Sequence, residues 1–203
     1  MIEKDTIDIS RGEVAQRAGL NSALIGYYFG GKEGLLMALV KRDTELGVQA
    51  IETLMQSDLP PEEKLKKHLA GVINFNFRFP YMTRLMHLLM RDPASENSRK
   101  ISEFFTGPVT RAEAKILTEG MKSGKFRKVD PVLFYFSAVG ACDYHFWGGS
   151  ALKFVFGMDK IDDAMRRRFV EHTVKLLLQG CLAEPDADAA SIARIPRQRK
   201  RNR

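Results

Sequence analysis

The stretch from Glu13 to Leu36, near the N-terminus, carries polar side chains in a pattern that suits binding to another molecule. In this stretch Ala18-Gly19-Leu20 separates two short helical patterns, which together have the dimensions of a helix-turn-helix. Gly19 suits the tight turn because a left-handed backbone is often required there. Asn21 is a residue type that caps helices, so it marks the start of the second helix. The residues that would then lead this helix are Ser22, Ala23 and Leu24. In a helix-turn-helix these positions face base edges in the major groove, so their chemistry predicts the reading of duplex DNA.

This stretch resembles the DNA-binding motif of the tetracycline-repressor (TetR) family of bacterial transcriptional regulators. The matching residues stand at fixed spacing: Val14-Ala15-x-x-Ala18-Gly19-Leu20, then Ala23-Leu24-Ile25-x-Tyr27-Tyr28-Phe29, then Lys32-Glu33-x-Leu35-Leu36. The resemblance implies an all-α fold. It also implies an N-terminal helix-turn-helix DNA-binding domain, followed by a helical domain that binds a ligand and dimerises.

The resemblance also implies roles by position. The residues that would approach the bases are Asn21, Ser22, Ala23 and Leu24. Leu24 would offer apolar contact to a thymine methyl group and Ser22 a hydroxyl. Tyr27 and Tyr28 would reach phosphates through their hydroxyls, with half-buried packing as the open alternative. Lys32 would pair with a phosphate at the positive N-terminal end of the next helix.

Two features depart from the family pattern. Family members have a full helix before the motif, whereas only residues 1–9 precede it here, so we expect that helix to be missing or truncated. Gly26 stands where the family often has an aromatic residue, and glycine within a helix lowers its stability by about 0.5–1 kcal/mol. Ile25 and Phe29 are expected in the core. The alternative reading is a helical ligand-binding and dimerisation module with an incomplete N-terminal domain that does not bind DNA.

Helical periodicity recurs along the rest of the chain, and strand patterns are scarce. Apolar spacing and capping residues predict helices at about 11–18, 21–29, 32–56, 61–80, 82–91, 96–123, 131–147 and 162–183. An interruption is expected at Gly107-Pro108, and Gly148-Gly149 is interpreted as a break. We predict a helix-turn-helix domain at 1–45, a ligand-binding and dimerisation domain at 46–183 and a mobile basic tail at 184–203.

Aromatic residues are frequent in the second domain and can line an apolar pocket that a few polar groups complete. Asp143 is the strongest polar candidate, because a carboxylate directly after an apolar run must find a partner or water. The turn at 124–131 and the segment 143–146 are similar to the regulatory domain of the pyrimidine-utilisation regulator (RutR) type within the family. The predicted ligand-binding residues are Phe75, Phe79, Arg84, His87, Asp143, Tyr144 and Trp147. An ordinary place in the core is the alternative for each.

Two helices carry the features of a dimer interface. Gly140 and Ala141 permit close approach of another helix, and the last helix has two apolar seams, which need cover on two sides. The resemblance implies a four-helix interface in a homodimer. A two-fold dimer would place its recognition helices on successive major grooves, roughly 34–36 Å apart or at a longer related spacing. The partners we expect are a double-stranded DNA operator, a second copy of the chain and an unidentified small-molecule effector.

The overall charge is a weak sign of nucleic-acid binding. The chain carries a net charge of +7, but six basic residues between 194 and 203 supply nearly all of it. This tail could add non-specific phosphate affinity, or it could be a solvated end without a role. The hydrophobic fraction of 44% and the charged fraction of 28% are typical of a globular protein.

Other function classes lack their sequence patterns. No H-E-x-x-H, G-x-S-x-G or phosphate loop is present, so catalysis, a metal and a cofactor are not expected. Cys142 and Cys181 lie in apolar helical patterns, which predicts buried thiols. No apolar run is long enough to span a bilayer and no secretory signal is visible, so we expect a cytoplasmic protein without membrane association.

Overall fold

The computed structural model describes residues 1, 6–147, 149–159 and 161–183. In this part of the chain every regular secondary-structure element is a helix, and an isolated antiparallel bridge joins Phe126 to Leu182. The all-α fold class is therefore confirmed. The helices are α1 (Arg11–Ala18), α2 (Ala23–Phe29), α3 (Lys32–Gln56), α4 (Pro61–Arg78), α5 (Met82–Leu89), α6 (Glu96–Ile101), α7 (Gly107–Lys122), α8 (Pro131–Trp147), α9 (Gly149–Phe154) and α10 (Asp163–Gln179). The predicted tail at 184–203 lies outside the described residues.

Helix starts follow local capping signals. The Ser10 hydroxyl accepts a hydrogen bond from the backbone N–H of Glu13 at 3.1 Å, and the Glu13 carboxylate accepts one from the N–H of Ser10 at 2.8 Å. This reciprocal capping box satisfies two backbone donors that α1 leaves unpaired. Pro61 opens α4, where its missing N–H removes no intrahelical bond. The carboxylates of Asp130 and Asp162 accept N–H bonds from the first turns of α8 and α10.

The predicted interruption at Gly107-Pro108 is wrong. A π-helical segment, Ser102–Thr106, joins α6 to α7 without a break. Pro108 has no N–H to donate, and the Gly107 N–H bonds to the carbonyl of Ser102, five residues earlier. The wider turn therefore lets the helix continue where a standard turn would end.

The region after α8 also differs from the prediction. α9 was not predicted, because Gly148-Gly149 was interpreted as a break. The low helix propensity of glycine does not prevent Gly149 from starting this helix. The last helix ends at Gln179, about one turn before the predicted end. The backbone N–H of Arg127 donates to the Cys181 carbonyl at 2.9 Å, so the chain after α10 pairs with the segment before α8.

Two groups of buried side chains hold the helices together. The first group joins α4, α7, α8 and α10 and contains Leu65, Leu69, Ile116, Leu117, Phe126, Phe134, Ala138, Leu178 and Cys181. The second group joins α3, α5 and α6 and contains Leu36, Val40, Tyr81, Met82, Leu85, Leu89 and Ile101. α3 runs through residue 45 without a break, so one rigid rod leads from the N-terminal helices into the larger helical region.

Buried polar contacts fix α3 against α5. The Tyr81 hydroxyl donates to one oxygen of the Asp43 carboxylate, and Arg42 Nε donates to the other at 2.7 Å. Asp43 is buried, and burial together with this carboxylate raises the pKa of Tyr81 well above its usual value. A buried carboxylate loses free energy when it loses a donor, so the Tyr81–Asp43 bond holds the start of α5 against α3.

Both cysteines are buried thiols, as the sequence predicts. Burial is the main cause that raises the pKa of Cys142 to about 12 and of Cys181 to about 11. Within the described ranges, no helix has the length and apolar character that a membrane crossing requires.

Candidate functional site

α1 and α2 form the predicted helix-turn-helix. The chain leaves α1 through Gly19, whose φ of 66° lies in the left-handed region that favours glycine. Asn21 Oδ1 accepts a hydrogen bond from the N–H of Ala23 at 2.9 Å, but the N-cap position is Ser22, so the predicted cap at Asn21 is one residue too early. Ala15 of α1 and Ile25 of α2 are the buried apolar residues of the pair. The sequence predicted the glycine turn correctly.

One apolar residue of the motif is more exposed than predicted. Phe29 is 41% exposed, although it is expected in the core, and Leu20 in the turn is 58% exposed. Before α1, Met1 and Ile7 pack against the second group of buried side chains.

The predicted base-facing residues form one exposed surface. They are Asn21, Ser22, Ala23 and Leu24. They precede α2 or belong to its first turn, where unpaired backbone N–H groups give the helix end a partial positive charge. The surface is therefore open to a polyanion, and contact of these residues with bases stays a prediction.

Two tyrosines extend this surface toward the end of α2. Tyr27 is 82% exposed and Tyr28 is 71% exposed, so neither side chain packs as half-buried. Their rings lie edge to face with centroids 5.0 Å apart, which orders two adjacent hydroxyl-bearing side chains. Lys32 Nζ lies 3.3 Å from Asp8 Oδ1, so a phosphate that binds this ammonium has to replace an exposed carboxylate.

Glycines set the angle between α2 and α3. Gly30 and Gly31 have φ values of 69° and 128°, conformations that other residues rarely adopt. A Cβ atom placed on Gly34 would overlap the carbonyl oxygen of Phe29 and lie 2.9 Å from its carbonyl carbon. The first turn of α3 therefore packs against the end of α2 more closely than any side chain permits.

A cavity of about 710 Å³ lies between α3, α4, α5, α7 and α8. Its volume falls in the range of small-molecule binding sites. The π-helical segment contributes Phe105 and Thr106 to its wall. Most of the wall is apolar, with Ile51, Leu54, Val72, Phe75, Met82, Met86, Met90, Phe105, Val109 and Val139.

Two hydrogen-bonded pairs interrupt this apolar wall. His68 Nε2 of α4 lies 3.1 Å from Glu113 Oε2 of α7, and both residues are buried. Asn76 of α4 donates to the carboxylate of Asp143 on α8. Each pair therefore joins α4 to a different helix across the cavity wall.

The carboxylates of Glu113 and Asp143 both influence the pKa of Tyr135 on α8. Burial raises the pKa of Asp143, while the hydrogen bond from Asn76 and the charge of a protonated His87 lower it. Tyr135 also lines the cavity, and its pKa is raised first by burial and then by the charges of Glu113 and Asp143. Two carboxylates, Asp143 and Glu113, thus act on the polar side of the cavity.

Three of the predicted ligand-binding residues line this cavity, namely Phe75, His87 and Asp143. Their contact with a ligand stays a prediction. Trp147 belongs to α8, but its side chain lies outside what the structure describes.

The structure places the other three predicted residues away from the cavity. Phe79 packs against the second group of buried side chains, and its ring contacts that of Tyr81. Arg84 is half-buried on α5 and does not line the wall. Tyr144 is exposed on α8, because consecutive helical residues point about 100° apart and Asp143 takes the cavity side.

Several polar groups of the wall were not predicted from the sequence, among them His68, Asn76, Glu113 and Tyr135. A signal was present in α4, where His68 and Asn76 adjoin the buried stripe of Leu65, Leu69 and Ile73. A polar residue at the edge of a buried stripe requires a partner. Which helix supplies that partner could not be read from spacing along the chain.

Among the residues that the structure describes, none covers an apolar face of α8. It consists of the exposed side chains of Val132, Leu133, Phe136 and Tyr144, which recur at helical spacing. Gly140 lies within this face, and a Cβ atom there would meet no atom within 4 Å. Leu176 of α10 is exposed as well. These features are typical of an interface between protein subunits.

Known proteins share this architecture. The family described as "Tetracyclin repressor-like, C-terminal domain" matches residues 58–188. The HTH-type transcriptional regulator RutR of Escherichia coli (strain K12) is 19% identical over 168 residues, which cover 83% of this chain and 78% of that protein.

Solved structures of similar fold include a TetR/AcrR-family transcriptional regulator from Thermobifida fusca. It has a TM-score of 0.64 and 21% identity, with 85% of this chain and 86% of that chain covered. The regulator FadR from Bacillus subtilis, in complex with stearoyl-CoA, has a TM-score of 0.64 and 21% identity over 85% of this chain and 88% of its own. With the helix-turn-helix, the all-α fold and the family match together, the chain belongs to the tetracycline-repressor family of DNA-binding transcriptional regulators.

Proposed function

We propose that this regulator is a repressor that binds operator DNA as a homodimer and leaves it when a small-molecule effector fills the cavity. The observation that carries the proposal is the joint placement of two features. The exposed surface formed by residues 21–24, Tyr27 and Tyr28, here called the recognition surface, lies at one end of α3. The cavity lies beside residues near the other end of the same helix. A change of packing around the cavity can therefore reach the recognition surface through one helix.

DNA binding would use two kinds of contact. The base-facing residues would select the sequence, with Ser22 and Leu24 offering a hydroxyl and an apolar contact to base edges. Tyr27, Tyr28 and Lys32 would hold the phosphates and fix the position of α2 in the groove. The exposure of both tyrosines supports this division, because solvent-facing aromatic side chains need a partner to gain from burial.

Dimerisation would bury the apolar face of α8. Phe136 is 67% exposed, and the bare surface at Gly140 would let a helix of the second copy approach closely. Leu176 extends the same kind of surface to α10. A two-fold axis through this interface would pair two recognition helices for adjacent major grooves.

Release would be a population shift. The effector would bind more tightly to a conformation with α5 displaced from α3, because both helices line the cavity. The Tyr81–Asp43 bond would transmit that displacement to the half of α3 that supports α2. The loss of operator affinity cannot exceed the effector's preference for that conformation.

Fluorescence anisotropy with labelled DNA from upstream of the regulator's own gene tests the DNA-binding part. We expect binding that weakens steeply with salt, because phosphate contacts release counterions. A double substitution, Tyr27→Phe with Tyr28→Phe, removes only two hydroxyls and should weaken binding about tenfold or more. The control is Thr53→Ala, which removes an exposed hydroxyl from α3, outside the α2 surface and the apolar face of α8. Equal binding by all three proteins would contradict the role of the tyrosines, and no binding of the wild-type chain at low salt would contradict the proposal.

Analytical ultracentrifugation tests the dimer. Gly140→Arg adds a long charged side chain where a Cβ atom meets nothing, so the monomer should fold normally while the dimer dissociates. Gln49→Arg adds the same charge at an exposed position of α3 and should leave the dimer intact. A dimer that survives Gly140→Arg would show that the interface lies elsewhere.

A further inference from the structure

We infer that the effector is a hydrophobic cation, an apolar body that carries an amine or quaternary ammonium group, and that Asp143 and Glu113 hold its charge. This inference rests on the proposed function, because it names the chemical class that the effector cavity accepts. Three properties of the cavity carry it: the sign of its inner charges, the partners of those charges and the nature of its apolar wall.

The charges on the inner wall are mainly negative. Glu113 is buried and Asp143 is half-buried, and both raise the pKa of Cys142 and Tyr135 on α8. Two carboxylates thus act on one side of the cavity. The Lys and Arg residues of the wall are different, because Lys67 and Arg91 are exposed to solvent, where water and salt screen their charges.

The hydrogen-bond partners of the two carboxylates carry no permanent positive charge. Asp143 accepts a hydrogen bond from Asn76, which is neutral and cannot balance the charge. Glu113 is paired with His68, an imidazole that carries a positive charge only when protonated. His87 acts on Asp143 under the same condition and is exposed. A ligand cation would place a permanent positive charge beside the carboxylates, and a buried carboxylate gains most from such a partner.

The remaining wall suits the rest of such a ligand. Phe75 and Phe105 both line the cavity, with ring centroids 5.9 Å apart and ring planes inclined at 32°. Aromatic faces attract cations and pack against apolar bodies. Three thioethers, from Met82, Met86 and Met90, add a polarisable surface that adapts to ligands of different shape.

The same charges disfavour anionic ligands. A carboxylate or phosphate at the polar part of the cavity would face Asp143 and Glu113, and like charges at close range in a poorly hydrated site repel strongly. The structural similarity to a FadR in complex with stearoyl-CoA therefore extends to the fold and not to the ligand that we infer.

Isothermal titration calorimetry of the full chain, in the absence of DNA, tests the inference with three probes of equal chain length. The probes are decyltrimethylammonium and decanoate, each below its micelle concentration, and decanol below its solubility limit. We expect decyltrimethylammonium to bind at least about tenfold more tightly than decanol, and decanoate to bind more weakly than decanol. Asp143→Asn should reduce the affinity for the ammonium probe about tenfold or more and leave decanol unchanged.

Matched controls separate the site from the overall charge. Asp58→Asn removes an exposed carboxylate outside the cavity and should leave all three affinities unchanged. Glu113→Gln is the second variant of the wall and should also weaken ammonium binding. Circular dichroism spectra that match the wild type confirm that each variant is folded. If only one of the two wall variants folds, that variant alone tests the loss of affinity for the ammonium probe.

Three results would overturn the inference. They are equal affinity for the three probes, tighter binding of decanoate, and no binding of any probe. Operator binding by the ligand-free chain is measured separately and tests the proposed function. An ammonium preference without operator binding contradicts only the proposed function, and operator binding without an ammonium preference contradicts only the ligand class.

Discussion

Gly34→Ala tests whether the close approach of α2 and α3 holds the recognition surface in place. The added Cβ atom would overlap the carbonyl oxygen of Phe29 and lie 2.9 Å from its carbonyl carbon, whereas real Cβ contacts are essentially never shorter than 3.0 Å. Both contact atoms belong to the backbone, so no side-chain rotation can relieve the overlap. α2 must move away from α3, and overpacking of this kind destabilises a protein by about 1–3 kcal/mol.

Gly26→Ala is the matched control, because it makes the same substitution within α2. A Cβ atom there meets nothing within 4 Å, and alanine favours a helix by about 0.5–1 kcal/mol relative to glycine. We therefore expect opposite results. Gly34→Ala should lower the unfolding temperature by several degrees and weaken operator binding about tenfold or more, while Gly26→Ala should keep or raise both.

Differential scanning calorimetry and fluorescence anisotropy with operator DNA provide the two readings. A Gly34→Ala protein with wild-type stability and wild-type DNA affinity would refute the reasoning, because the overlap would then have been absorbed without displacement of α2. A loss of stability without a loss of affinity would show that the angle between α2 and α3 does not control DNA binding.

Three further predictions concern carboxylates: Asp8 beside Lys32, Asp143 in the cavity wall and Asp43 between α3 and α5. Asp8→Asn removes the carboxylate that pairs with Lys32. Because an exposed ion pair is worth about 0.2–1 kcal/mol, the operator affinity at low salt should rise about threefold. An unchanged affinity in fluorescence anisotropy would show that Lys32 does not bind a phosphate. Burial raises the pKa of Asp143 in the folded chain, so ionisation of Asp143 destabilises the fold as the pH rises. Asp143→Asn should therefore raise the melting temperature at pH 7, and this gain should shrink as the pH falls through the raised pKa. A gain in melting temperature that is constant with pH would contradict the assignment. Tyr81→Phe leaves the buried carboxylate of Asp43 with one donor fewer and should lower the free energy of unfolding in urea by about 1–3 kcal/mol, and a change below 0.5 kcal/mol would contradict the role of this bond.

Local chemistry made the N-terminal motif predictable from sequence. Ser10, Gly19 and Asn21 act on backbone groups within a few residues, so their capping and turn roles follow from the chain itself. The same holds for Asp130 before α8. Such signals depend on spacing along the chain, which the sequence contains in full.

Contacts between distant segments were beyond this reasoning. The pair of His68 and Glu113 joins residues 45 positions apart, and no local pattern indicates which helices meet. Tyr144 shows a related limit, because aromatic content does not specify which side of α8 faces the cavity.

Hydroxyl-radical footprinting of the promoter region, with the wild-type chain and a Ser22→Ala variant, tests the central claim most directly. Two recognition surfaces related by a two-fold axis should protect two patches of backbone, separated by about one helical turn of DNA or a multiple of it. Ser22→Ala should weaken both patches equally. A single protected patch, or no protection at low salt, would contradict a dimer that reads DNA through the start of α2.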